Sequence, residues 1–129
     1  MERSPLIISL QVPDVAKAIE FYVDVLGFSQ AGSWDEDGKP IWAEVLREGP
    51  KGTARVWFFS GAIEDRPGPS LSGLIYLFVG SVDREAARLD GRVTIRWGPE
   101  TQPYGLRELG VEDLNGYLLC FAEDVEVGR

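Results

Sequence analysis

The chain contains no histidine at all. An imidazole base, proton shuttle or metal ligand is therefore excluded. With a single cysteine, Cys120, neither an internal disulfide nor a cysteine-cluster zinc site can form. No apolar run approaches the ~20 residues that a bilayer-spanning helix needs. The N-terminus lacks the basic stretch, apolar region and small-residue cleavage site of a signal peptide, so a cytoplasmic location is expected. Cations are scarce, with 13 Lys and Arg against 21 Asp and Glu and a net charge of −8. That deficit argues against nucleic acid as a partner, because phosphate binding needs clustered Lys and Arg. It favours encounter with a cationic small molecule, although solubility alone is a sufficient reason for it.

What is present reads as one α+β domain over residues 1–129. Leu6 to Val12 alternate as a strand, with Leu6, Ile8, Leu10 and Val12 on one face and Ile7, Ser9 and Gln11 on the other. Asp14 stands where a helix N-cap belongs. Val15, Ala18, Ile19, Tyr22 and Leu26 follow at helical spacing, and Gly27 closes the helix. Strands are expected from Phe28 to Trp34, Ile41 to Arg47 and Thr53 to Phe59, separated by turns at 35–38 and 48–52. A linker at about 61–72, containing Pro67, Gly68 and Pro69, precedes a second cycle. This cycle has a strand from Leu74 to Val79, a helix capped by Ser81 and ended near Gly91, and strands from Val93 to Trp97, Leu106 to Val111 and Tyr117 to Ala122. Asn115-Gly116 is a hairpin signal, since both residues tolerate positive φ. The element order repeats, giving modules at about 1–62 and 72–124.

The segment from Val12 to Phe28, with Phe21-Tyr22 followed by Leu26-Gly27-Phe28, resembles the first-module signature of the vicinal oxygen chelate superfamily. That group contains glyoxalases, extradiol dioxygenases, fosfomycin resistance enzymes and bleomycin resistance proteins. Gln102 to Glu108, with Tyr104 where relatives carry Trp, and Glu112 to Gly116, with Leu114-Asn115 for the usual Pro-Asp, resemble its closing module. The resemblance implies two βαβββ modules forming a cup-shaped, eight-stranded mixed sheet with helices outside. Fold does not fix activity, however.

Metal-using relatives place their ligands on the first strand of each module and on the last strand. Matched to this chain, those positions are Ile7, Leu74 and Cys120, which offer no oxygen or nitrogen donor of the kind magnesium, manganese or iron requires. No metal and no other cofactor is expected. A lone thiol without a base is a poor nucleophile, so Cys120 reads as an apolar filler. Arg107 reads as structural, pairing with Glu108 or with a neighbouring strand.

Tyr76 shares a strand face with Leu74 and Phe78. Trp42 and Glu44 share another, and Arg55, Trp57 and Phe59 a third. Large aromatics supply stacking surfaces for planar or cationic groups. By resemblance to the drug-binding relatives, Tyr104 is the leading ligand contact, joined by Trp42, Trp57 and Tyr76. Glu44 and Glu108 are candidate counter-charges. Core or dimer packing explains the tryptophans equally well, and a solvated strand position explains either glutamate.

The leading expectation is a non-catalytic, metal-independent protein that sequesters an aromatic or cationic drug-like compound, as in antibiotic resistance. The resemblance also implies a homodimer. The alternatives are a metal-free lyase or isomerase with Glu44 or Glu108 as general base, and a protein-interaction module.

Overall fold

A computed structural model of the chain describes residues 5–63 and 68–126. Among the described residues two compact units are present, one made of 5–48, 53–63 and 68–70, the other of 49–52 and 71–126. The central linker is described only at its flanks, and Pro67 lies outside the described residues.

The first unit runs β1 (Ile8–Gln11), α1 (Val15–Asp24), β2 (Ser29–Glu36), β3 (Lys39–Gly49) and β4 (Gly52–Phe59). Its sheet has the order β1-β4-β3-β2, with β1 parallel to β4 and β2 antiparallel to β3. Asp14 caps α1 by accepting from the Lys17 amide at 3.1 Å. The stripe of Val15, Ala18 and Tyr22 is buried. Tyr22 meets Phe58 edge-on, with ring centroids 4.8 Å apart, and Phe28 at 5.4 Å. The helix therefore covers the face that carries Phe58, while Ser9 and Trp57, cross-strand partners in register, carry the opposite parity.

The second unit repeats this order with β5 (Ile75–Phe78), α2 (Val82–Leu89), β6 (Thr94–Thr101), β7 (Leu106–Glu112) and β8 (Leu118–Asp124), arranged β5-β8-β7-β6. Ser81 caps α2 through the Arg84 amide, and the Glu123 carboxylate accepts from the Val82 amide at 2.8 Å. Val82 and Leu89 of the helix are buried, as are Leu77, Leu109, Val111, Leu119 and Phe121. The α+β class and the paired βαβββ modules of the sequence reading are thus present, as two four-stranded mixed sheets.

One turn differs from expectation. The polar run 35–38 is not a four-residue turn, because β2 continues to Glu36 and only Asp37 and Gly38 turn, with φ of 51° and 76°. Positive φ at both central residues matches the twist of the flanking strands, so the shortest hairpin wins. At Asn115-Gly116 the expected hairpin forms, joining β7 to antiparallel β8. Of the two residues only Gly116 takes positive φ, and residues 113–117 form the loop between the strands. It contains Asp113, whose buried carboxylate accepts from the amides of Asn115 at 2.8 Å and Tyr117 at 2.9 Å. This side chain organises the loop locally.

Candidate functional site

Each unit buries one glutamate on its third strand. Glu44 is 4% exposed and Glu108 3%. Burying a carboxylate is costly without hydrogen bonds or a counter-charge, and the two units meet that cost differently.

In the first unit, Glu44 of β3 faces Arg55 and Trp57 of β4. The Trp57 indole Nε1 donates to Oε2 at 2.8 Å, and Arg55 Nη1 donates to Oε1 at 3.4 Å. Both oxygens are engaged and the charge is paired. Trp42, two residues before Glu44, meets the Trp57 ring edge-on at 5.2 Å. Trp34, across the strand pair from Trp42, is 67% exposed. Glu44, Trp42 and Trp57 are therefore brought together here. Arg55 belongs to the same group, although the sequence reading singled it out only as a member of the Trp57 face. Its parity with Trp57 was the available signal.

In the second unit, Glu108 of β7 accepts from two phenols. Tyr76 donates from β5 at 3.0 Å and Tyr104 from the loop before β7 at 2.8 Å, both to Oε2. Among the described residues no Lys or Arg pairs with Glu108. The carboxylate raises both phenols above their ordinary range, Tyr76 most strongly, chiefly through the hydrogen bonds themselves, so both remain neutral donors. Their rings stay open, with Tyr76 42% and Tyr104 63% exposed.

Beneath them lies Cys120, fully buried and opposite both Tyr76 and Gly110 in register. Burial, reinforced by the negative charge of Glu108, pushes its thiol up to about 11. A thiol so protonated is no nucleophile near neutrality. Gly110 has a packing role, because a Cβ there would overlap the Trp97 indole of β6, which lies across it. Neither Trp97 nor Gly110 was foreseen as part of this site. Arg107 turns away from Glu108: it binds Asp83 of α2 through two nitrogens, at 2.9 and 3.1 Å, and Thr101 of the neighbouring strand at 3.0 Å. Of its two expected pairings, the one with a neighbouring strand forms and the one with Glu108 does not.

Ile7 and Leu74 directly precede β1 and β5, and Cys120 lies within β8. Two aliphatic side chains and a protonated thiol do not fit a divalent ion of the kind that metal-using relatives hold. Among the described residues no three His, Cys, Asp or Glu side chains are grouped closely enough to hold a metal. No helix there is long and apolar enough to cross a membrane.

Comparison with solved structures returns the same architecture over almost the whole chain. TnmS3 from Streptomyces sp. CB03234, described as an antibiotic binding protein, is 26% identical with a TM-score of 0.73, covering 96% of this chain and 98% of its own. A glyoxalase/bleomycin resistance protein from the same organism is 27% identical with a TM-score of 0.74, covering 93% and 100%. TioX from Micromonospora sp. ML1 shares the fold at 23% identity and a TM-score of 0.72, covering 98% and 100%. Among curated protein sequences none matches. The family model that spans residues 6–121 is that of the Glyoxalase/Bleomycin resistance protein/Dioxygenase superfamily, and the chain belongs to that superfamily.

Proposed function

We propose that this chain binds and sequesters a small aromatic or cationic drug-like compound, without a metal and without turning it over, in the manner of an antibiotic-resistance binding protein. The observation that carries the reading is the Tyr76–Glu108–Tyr104 group. It consists of a buried carboxylate held by two phenols whose rings stay exposed, and among the described residues no metal-donor set accompanies it and the neighbouring Cys120 thiol is held protonated. Binding sites of this type combine aromatic walls with a few fixed polar groups. The description of TnmS3 as an antibiotic binding protein supports the same reading. The protein is proposed to act as a cytoplasmic homodimer, which sedimentation of the purified chain tests directly.

The main test is a panel of planar aromatic compounds, neutral and cationic, followed by tryptophan fluorescence and thermal shift. Micromolar quenching with a raised melting temperature is expected for at least one class. A flat response across the panel would falsify the proposal. A second reading, a metal-free lyase or isomerase, draws on the burial of both glutamates, since a general base needs a shielded carboxylate. It requires a carboxylate oxygen free to take a proton from substrate, which leaves Glu108 and removes Glu44, whose two oxygens are both occupied. Isolation of a chemically altered ligand after incubation with the protein would favour this second reading over sequestration.

A further inference from the structure

The two modules bury carboxylates in unequal electrostatic states. Glu44 has a cation, Arg55, on one oxygen and an indole donor on the other. Among the described residues Glu108 has only neutral partners: the Cys120 thiol beside it, and two phenols that both use the same oxygen, Oε2, so Oε1 receives neither phenol. In a low-dielectric setting a carboxylate without a counter-ion attracts a matching cation more strongly than it would in water. The flanking phenols cannot supply a positive charge, and the carboxylate itself raises them further from ionisation. The Cys120 thiol beside it is held protonated. Among the described residues no cation is paired with Glu108, and two exposed aromatic rings frame it. Aromatic faces attract cations, and a charge-assisted N–H···O bond is about twice as strong as a neutral one.

We infer that Glu108 is the recognition element for a protonated nitrogen, an ammonium or amidinium carried on an aromatic ligand, with Oε1 accepting its N–H and the Tyr104 and Tyr76 rings flanking it. Glu44 takes no part in this recognition, because Arg55 already supplies its cation. The inference rests on the binding reading above and narrows its ligand from aromatic or cationic to aromatic and cationic. The net charge of −8 acts in the same direction by favouring encounter with cations.

The test uses the full chain and three matched probes at neutral pH: naphthylmethylamine, which is cationic, naphthylmethanol, its neutral counterpart, and naphthoate, an anion. Calorimetry gives the affinities and nitrogen-15 chemical shifts give the location. The amine is expected to bind about tenfold or more tighter than the alcohol, with naphthoate weakest. In Glu108→Gln the amine-to-alcohol ratio should fall to near one. The amides of Tyr76, Gly105 and Glu108 should move on adding the amine, while the Trp57 indole N–H, bonded to Glu44, stays in place.

Equal affinity for amine and alcohol overturns the inference and leaves the binding reading intact. So does a preference that survives Glu108→Gln, or one accompanied by movement of the Trp57 indole and not of the Glu108 amide. Should Glu108→Gln fail to fold, the wild-type affinity ratio and shift map decide by themselves. If none of the three probes binds, the inference fails. The binding reading fails with it only if the wider aromatic panel is also silent.

Discussion

The third strand of each module buries a glutamate, and the neighbours of that glutamate set the two modules apart. In the first module the aromatic donor, Trp57, stands on central strand β4, with the small Ser9 beside it on the edge. In the second the order is reversed: the small Cys120 is on central strand β8, and the aromatic donor, Tyr76, is on the edge. A tryptophan in the centre, backed by Arg55, closes over its carboxylate. A tyrosine at the edge reaches its carboxylate only with the tip, and its ring remains open. The same backbone plan thus yields one buried ion pair and one buried carboxylate held by two phenols whose rings are exposed. Pairing with Arg55 suits Glu44 to a structural role, and the lack of a paired cation is the basis of the recognition role proposed for Glu108.

The largest expected effect comes from breaking the ion-paired side. Glu44→Ala strands Arg55 without its counter-charge and the Trp57 indole without its acceptor, and should cost on the order of 3 kcal/mol in urea denaturation. A change below the error of the measurement would show that the pair is not a structural unit. Next is Gly110→Ala, which drives a methyl group into the Trp97 ring and should cost about 2 kcal/mol with a shift in tryptophan emission. Glu108→Gln should cost only about 1 kcal/mol, since Tyr76 and Tyr104 keep a neutral acceptor. Its main loss should appear in ligand binding, opposite to the pattern at Glu44.

A smaller, pH-dependent effect belongs to Cys120. Its thiol is raised in the folded state to about 11 from an ordinary 9, so its contribution to stability is fully present below pH 9. That contribution is lost as the pH rises through 11, because only the unfolded chain ionises its thiol readily. Urea midpoints at pH 8 and pH 10.5 should therefore differ less in Cys120→Ala than in wild type. The comparison between the two proteins cancels the tyrosines, including Tyr76 and Tyr104 beside Glu108. Equal falls in both proteins would remove the thiol from the account. Smallest of all should be Arg107→Ala, which releases an exposed contact to Asp83 and should leave the urea midpoint almost unmoved.

Much of this architecture was legible in the sequence. The caps at Asp14 and Ser81, the Val15–Ala18–Tyr22 stripe and the strand alternation depend on local spacing and chemistry, and they carry through to the structure. The six candidate contacts sort into two clusters, Trp42, Trp57 and Glu44 in one unit and Tyr76, Tyr104 and Glu108 in the other. That sorting follows from their place before or after the central linker. The hairpin at Asn115-Gly116 was legible too, but the Asp113 carboxylate that organises its loop was not, because that role depends on contacts formed only once the loop closes.

By itself, the sequence determined the βαβββ repeat, the superfamily and the absence of imidazole chemistry. These depend on residue identity and periodicity, which a chain carries in one dimension. Tertiary structure alone decided which glutamate is paired with a cation and which is held by phenols. Glu44 and Glu108 have similar surroundings along the chain, each on a strand with an arginine nearby in sequence or on the next strand. Only the packing of strands across each sheet sends Arg55 onto Glu44 and turns Arg107 away from Glu108 to Asp83. The state of a buried charge depends on through-space distance and direction, and strand parity alone does not specify either.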